Sequence, residues 1–177
     1  MGLDITAYRK LTKLDAVFDG DGEPIDPTTR EPLDYSLRPY VNHDFPGREG
    51  SIESGAVYSA EDIAGLHAGS YGGYSRWREQ LAQLAGWPAG EYEQYGRTYQ
   101  SHCVPCWNGK VGPFSELINF SDCGGVIGAE VSAKLAKDFE AFQEIADAHE
   151  DEHFRTKYAE WRSAFEMAAD GGAVEFH

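Results

Sequence analysis

Positive charge is scarce in this chain. Fifteen Lys and Arg stand against 30 Asp and Glu among 177 residues, a formal charge of −15. Such a surface repels nucleic acid and anionic membranes, so direct binding to either is not expected. Basic residues cluster only at Arg9, Lys10 and Lys13. Long apolar runs are also missing: none approaches the roughly 18 residues of a membrane span. The start, MGLDITAYRKL, lacks the apolar stretch of a signal peptide, which predicts a chain that stays in the cytosol. Only 3 cysteines are present, and the odd number argues against a disulfide framework.

Aromatic residues are plentiful, with 4 Trp, 10 Tyr and 9 Phe. That excludes a disordered composition and is enough for one domain, 1–177, with a real core. Much of the excess acid lies late: residues 138–177 hold eleven acids and only Arg155, Lys157 and Arg162 as strong bases. A solvated helical face explains this simply. The sharper reading is an acidic surface shaped for a basic protein partner.

Residues 3–18 alternate like strand material, with Leu3, Ile5 and Ala7 on one face. Segment 19–48 is an acidic, Pro- and Gly-punctuated connection. Within it Tyr35, Leu37, Tyr40, Val41 and Phe45 suggest a part packed on the core as a short edge strand. Ser59-Ala60-Glu61-Asp62 reads as a helix start. Tyr74, Trp77, Leu81, Leu84 and Ala85 recur at helical spacing, ended by Gly86 and Pro88. Residues 87–112 read as irregular, and Phe114–Phe120 as a strand. Val131, Leu135, Phe139, Phe142 and Ile145 make one helical stripe, and Phe154, Tyr158, Trp161, Phe165 and Ala168 a second. Gly171-Gly172 then caps the second, and 173–177 can run as a final strand. The expected fold is α+β. A small, mainly antiparallel sheet holds both termini and packs against a helical hairpin over 129–170 and one further helix.

The leading candidate site is the glycine-rich turn Ser121-Asp122-Cys123-Gly124-Gly125 with Gly128. Its glycines permit close approach of a ligand, the helix after it offers N–H donors, and Cys123 can be a nucleophile. Helix entry by capping alone is the plainer reading.

His102, Cys103 and Cys106, with Cys123 as a fourth ligand, can chelate Zn²⁺. A zinc ribbon needs a second C-x-x-C, however, and the position three after Cys123 is Val126. Ordinary reduced thiols are therefore favoured over a metal or a redox dithiol, and no cofactor is expected. His149-Glu150-Asp151-Glu152-His153 fits H-E-x-x-H, with Glu166, Glu175 or His177 as a third ligand. Its charged middle positions and its place between the two stripes point instead to a solvated bend. Asp19–Glu23 opens like a calcium loop but has Pro24 and Arg30 where Gly and Glu are required, so it reads as a polar turn. Tyr71, Tyr74, Tyr92, Tyr95, Tyr99 and Trp107 lie in Gly-rich sequence and suit a protein-binding surface or loop anchors.

Three blocks, MGLDITAYRKL, LINFSDCGGVIGAEVSAKLAKDF and AFEMAADGGAVEFH, resemble a group of uncharacterised small proteins from bacteriophages and prophages. The resemblance covers the two ends and the C-terminal half. It implies context rather than activity: an accessory protein made in a bacterial cytoplasm during infection. Those relatives tend to carry Asp-Cys-Glu-Gly at the turn. Gly124 replaces that Glu here, which weakens a catalytic role for a carboxylate. The expectation is thus a non-catalytic protein that binds a host or phage macromolecule through an acidic, aromatic surface. Inhibition of a nucleic-acid-binding defence protein is one version. The alternative is a small-ligand binder or hydrolase using Asp122–Gly128, with or without a Cys/His-bound zinc.

Overall fold

A computed structural model describes residues 2–177. The chain begins with β1 (Leu3–Arg9), whose Leu3, Ile5 and Ala7 are buried as the alternation requires. Two short ladders follow. β2 (Thr12–Lys13) pairs later with β5 (Tyr58–Ser59), and β3 (Val17–Phe18) pairs with β4 (Pro24–Ile25). The β3–β4 turn is the failed calcium loop. There the Asp19 carboxylate accepts from the N–H groups of Asp21 and Glu23, both at 2.9 Å, a polar turn as the sequence suggests. Leu37 forms a two-way backbone bridge with Tyr58, a single bridge where the sequence suggests a short edge strand.

After β5 comes β6 (Asp62–Gly69), antiparallel to β1. The helix start expected at Ser59–Asp62 is therefore overturned. The acids there pair with the basic cluster (Lys10 with Glu61 at 2.9 Å, Arg9 with Asp62), and the strand is set by β1 rather than by local capping. α1 (Tyr71–Leu84) then buries Tyr74, Trp77 and Leu81, with Ser70 as N-cap and Gly86 left-handed after its end. Residues 87–112 are not irregular. They form a hairpin arm, β7 (Gly90–Gln94) and β8 (Arg97–Ser101), and a single turn, α2 (Val104–Trp107). Tyr95 and Gly96 have φ of 52° and 72°, the two left-handed residues that a type I′ hairpin demands.

Phe114–Phe120 is not a strand but holds α3 (Ser115–Ile118). A short apolar run has no period that separates strand from helix, and here it plugs the core as one turn. The strand sits later, inside the glycine run, as β9 (Gly125–Gly128). α4 (Ala129–Ala141) and α5 (Gln143–Asp147) follow, and α6 (Glu152–Ala168) returns antiparallel before β10 (Ala173–Phe176).

The main sheet is fully antiparallel in the order β6-β1-β10-β9, so it holds both terminal strands. α4 and α6 pack on one face. Phe139, Phe154, Trp161 and Phe165 there meet Tyr74 and Trp77 of α1 in one aromatic core. The other face is covered at its β9–β10 side by Leu37, Val41, Ile52 and Tyr58 from the 11–60 segment. Among the described residues no helix is long and apolar enough to cross a membrane.

Candidate functional site

The Ser121–Gly128 turn is built from backbone tolerance. Gly124 and Gly125 have φ of 141° and 134°, values that side chains rarely adopt. A Cβ on Gly128 would collide with the Glu49 carbonyl, 2.9 Å from its carbon, so a glycine is needed where loop 48–50 crosses β9. Asn42 Nδ2 donates to the Gly124 carbonyl at 3.0 Å, and the Gly128 N–H donates to Arg48 O at 2.8 Å. Asp122 does not cap a helix, because α4 begins beyond Gly128. Its carboxylate instead lies 4.0 Å from the Arg78 guanidinium. Ser121 is buried and accepts from the Cys123 N–H at 3.2 Å, while Cys123 itself is exposed.

Arg78 ties this turn to α1. Its guanidinium donates to the Phe120 carbonyl at 2.8 Å and lies 4.4 Å above the Tyr74 ring. With 12% of its side chain exposed, its charge is balanced by a carbonyl, a π face and Asp122 together.

The proposed zinc ligands are not gathered. Cys103 and Cys106 are buried in the core beside α2, and the His102 Nδ1 donates to the Trp87 carbonyl. Cys123 lies on the exposed turn. Among the described residues no group of three or more His, Cys, Asp or Glu can hold a metal ion. Burial pushes the Cys103 thiol up to about 12 and the Cys106 thiol up to about 11. A reactive C-x-x-C needs the opposite shift, so these are core thiols. His149 and His153 do not share a helix either. Asp151 breaks the motif as the N-cap of α6, accepting from the N–H groups of His153 and Phe154 at 2.9 and 3.3 Å. The charged bend expected at 149–153 is therefore present.

The arm and α1 flank an open groove of about 470 Å³, lined by Arg76, Glu79, Tyr92, Gln94, Gln100 and Trp107 among others. Tyr92 and Tyr99 stack across the arm at 5.6 Å, and Trp107 meets Tyr92 edge-on at 5.4 Å. The tip residue Tyr95 is 94% exposed, and Trp107 is 45% exposed. The opposite face of the arm carries Glu91 and Glu93, both exposed.

Glu79 anchors the arm's base. It accepts from Ser101 Oγ at 2.5 Å and from the His102 N–H at 3.0 Å. Burial alone raises its carboxyl, but the His102, Ser101, Gln83 and Cys103 donors outweigh that, leaving it below its ordinary 4.5. A lowered carboxyl stabilises the fold above pH 4.5, and that contribution disappears as pH falls through the folded value. The wild-type melting temperature should therefore fall more steeply below that pH than that of Glu79→Gln. Parallel slopes in a pH series of thermal melts would refute this role.

Sequence reasoning missed a second polar feature on the sheet face away from the helices. His67 Nδ1 pairs with Asp4 at 2.6 Å, His177 Nε2 with Thr6 Oγ1 at 2.9 Å, and the Tyr8 hydroxyl donates to Glu175 at 2.8 Å. Partners up to 171 positions apart leave no local signal. Arg78 and Glu79 were hidden in the polar stripe of α1. The arm did have a signal, two alternating runs around Tyr95-Gly96.

The class defined by fold and surface is an α+β protein with a four-stranded antiparallel sheet, a helical hairpin and a projecting aromatic arm. The chain matches no protein-family model, no curated protein and no solved structure.

Proposed function

We propose that this chain is a binding protein that engages a macromolecular partner through the β7–β8 arm and the chain's acidic surface. The observation that carries this reading is Tyr95, held 94% exposed at the tip of an arm stiffened by the Tyr92, Tyr99 and Trp107 stack. Exposed, preordered aromatics are typical interface anchors, because they bury large area at small entropic cost. The formal charge of −15 favours a basic partner and disfavours nucleic acid, and the arm itself carries Glu91 and Glu93 against the single base Arg97. A nucleic-acid-binding protein whose basic groove accepts this surface meets both demands. With the phage resemblance, the reading becomes an accessory protein that blocks such a host or phage factor in the bacterial cytoplasm.

The rival reading, a small-ligand site or hydrolase at Ser121–Gly128, is supported by the exposed Cys123 thiol next to Asp122. The arm has the stronger support, since the turn's polar groups already serve Arg78, Asn42 and its own backbone.

Quantitative capture from a bacterial lysate should separate the two. Immobilised wild type is expected to retain a basic protein that the Tyr95→Ala/Trp107→Ala variant loses by tenfold or more, about 1.4 kcal/mol or above, with retention weakening as salt rises. Identical capture by both chains would overturn the arm as the contact surface.

A further inference from the structure

Among the described residues, the main sheet has one closed edge and one open edge. At β9 all four residues are buried, and the Gly128 N–H is taken by Arg48 O at 2.8 Å. Along β6, Asp62, Ile63, Ala64 and Gly65 are exposed, and a Cβ on Gly65 would meet nothing within 4 Å.

The ladder decides which β6 groups are free. The His177 N–H donates to the Asp4 carbonyl, and the Arg9 carbonyl accepts from Glu61 on the other side. Alternate residues of β1 therefore serve alternate neighbours: Asp4, Thr6 and Tyr8 bond towards β10, and Ile5, Ala7 and Arg9 bond towards β6. Their partners on β6 are Leu66, Ala64 and Asp62. Ile63, Gly65 and His67 then turn their N–H and C=O groups outward. The Lys157 Nζ independently marks that side, reaching the His67 carbonyl at 2.7 Å.

An open edge of eight residues is a template that only another extended strand satisfies. We propose that its occupant is β6 of a second copy of this chain, antiparallel about a two-fold axis at Gly65. This register is self-complementary. Gly65 faces Gly65, and Ile63 of each protomer faces His67 of the other, so every outward group finds a partner. Ala64 and Leu66 meet across the axis on the face towards α6. A groove of about 500 Å³, lined by Ala64, Leu66, Ala159, Ala164 and Met167 among others, runs along that edge. The second copy's Ala64 and Leu66 cover its rim. Charge permits the register. Glu61 and Asp62 are already paired with Lys10 and Arg9, and His67 and Lys157 with Asp4 and Glu160, so the strand ends that meet are balanced and do not repel as the rest of the acidic surface would. Lys157 need not leave, since a carbonyl oxygen accepts two hydrogen bonds. The two four-stranded sheets become one of eight strands, with the isologous contact of a two-fold dimer.

Sedimentation equilibrium of the intact chain tests this, at about 0.3 M salt so that repulsion between the two acidic chains is screened. The wild type is expected to show twice its 19.6 kDa mass at micromolar to sub-millimolar concentration. Gly65→Pro removes only an outward N–H, so it should sediment as a single chain with an unchanged circular dichroism spectrum. Ile63→Lys, a milder surface change, should do the same. A wild type that stays monomeric overturns the proposal, including one that takes up a foreign extended segment at this edge. So does a dimer that persists in both folded variants.

Discussion

Replacing Trp161 by alanine is expected to destabilise the fold by about 3–5 kcal/mol, the cost of emptying a large aromatic site. Trp161 is 1% exposed, and its ring lies 5.5 Å from both Tyr74 and Trp77, 5.8 Å from Phe165 and 5.7 Å from Phe176. It therefore joins α1, α6 and the C-terminal strand at once. These neighbours sit on three different elements, each fixed by its own hydrogen bonds, so they cannot collapse into the void. A loss of this size is a large part of the roughly 5–15 kcal/mol that holds a domain together. Urea unfolding followed by circular dichroism reads it without relying on the indole that has been removed. Trp161→Phe should retain most of the stability. A loss below about 1 kcal/mol for the alanine variant would mean that this cluster is not the centre of the core.

Gly172→Ala carries the second large effect, about 3 kcal/mol, the upper end for adding a methyl to a packed site. Gly172 does not need unusual dihedrals. It needs space, because a Cβ would stand 2.8 Å from the Tyr8 carbonyl carbon and 3.1 Å from the Arg9 Cα. Both are backbone atoms, so relief requires β1 and the start of β10 to separate where Tyr8 pairs with Ala173. Gly171, one residue earlier, is the contrasting case. Its φ is +62°, and its nearest neighbour is 3.8 Å away, so alanine there costs only the left-handed penalty of about 1–2 kcal/mol. Thermal and urea unfolding of the two variants should rank Gly172→Ala below Gly171→Ala. The reverse ranking would show that the glycine pair serves helix capping alone.

Amphipathic spacing carried the helical half of this fold, except that the first stripe fails at Ile145, which is 56% exposed because the helix breaks after Ala141 and α5 buries Ala146 instead. Phe154, Tyr158, Trp161, Phe165 and Ala168 are all buried on α6 as their spacing requires. The break between the stripes marked the bend that Asp151 caps. The terminal strands were legible because short alternating apolar runs flank turn signals. Phe114–Ile118 failed because an apolar run of that length fits either a strand or a helical turn. Ser59–Asp62 failed because a capping-like tetrapeptide yielded to pairing with β1. The candidate turn was visible as a glycine cluster. Its real work, admitting Glu49 and Asn42 against β9, depends on loops roughly 80 residues earlier.

The sequence by itself determined the composition of the surface, the helical hairpin and the presence of strands at both ends. These follow from charge and from periodicity within a few turns of chain. Only the tertiary structure decided that Cys103 and Cys106 are core thiols, that Arg78 locks the glycine turn to α1, and that β6 is an open edge while β9 is closed. Each of these depends on groups distant in the chain, and burial, shared hydrogen bonds and strand order exist only once those distant groups have met.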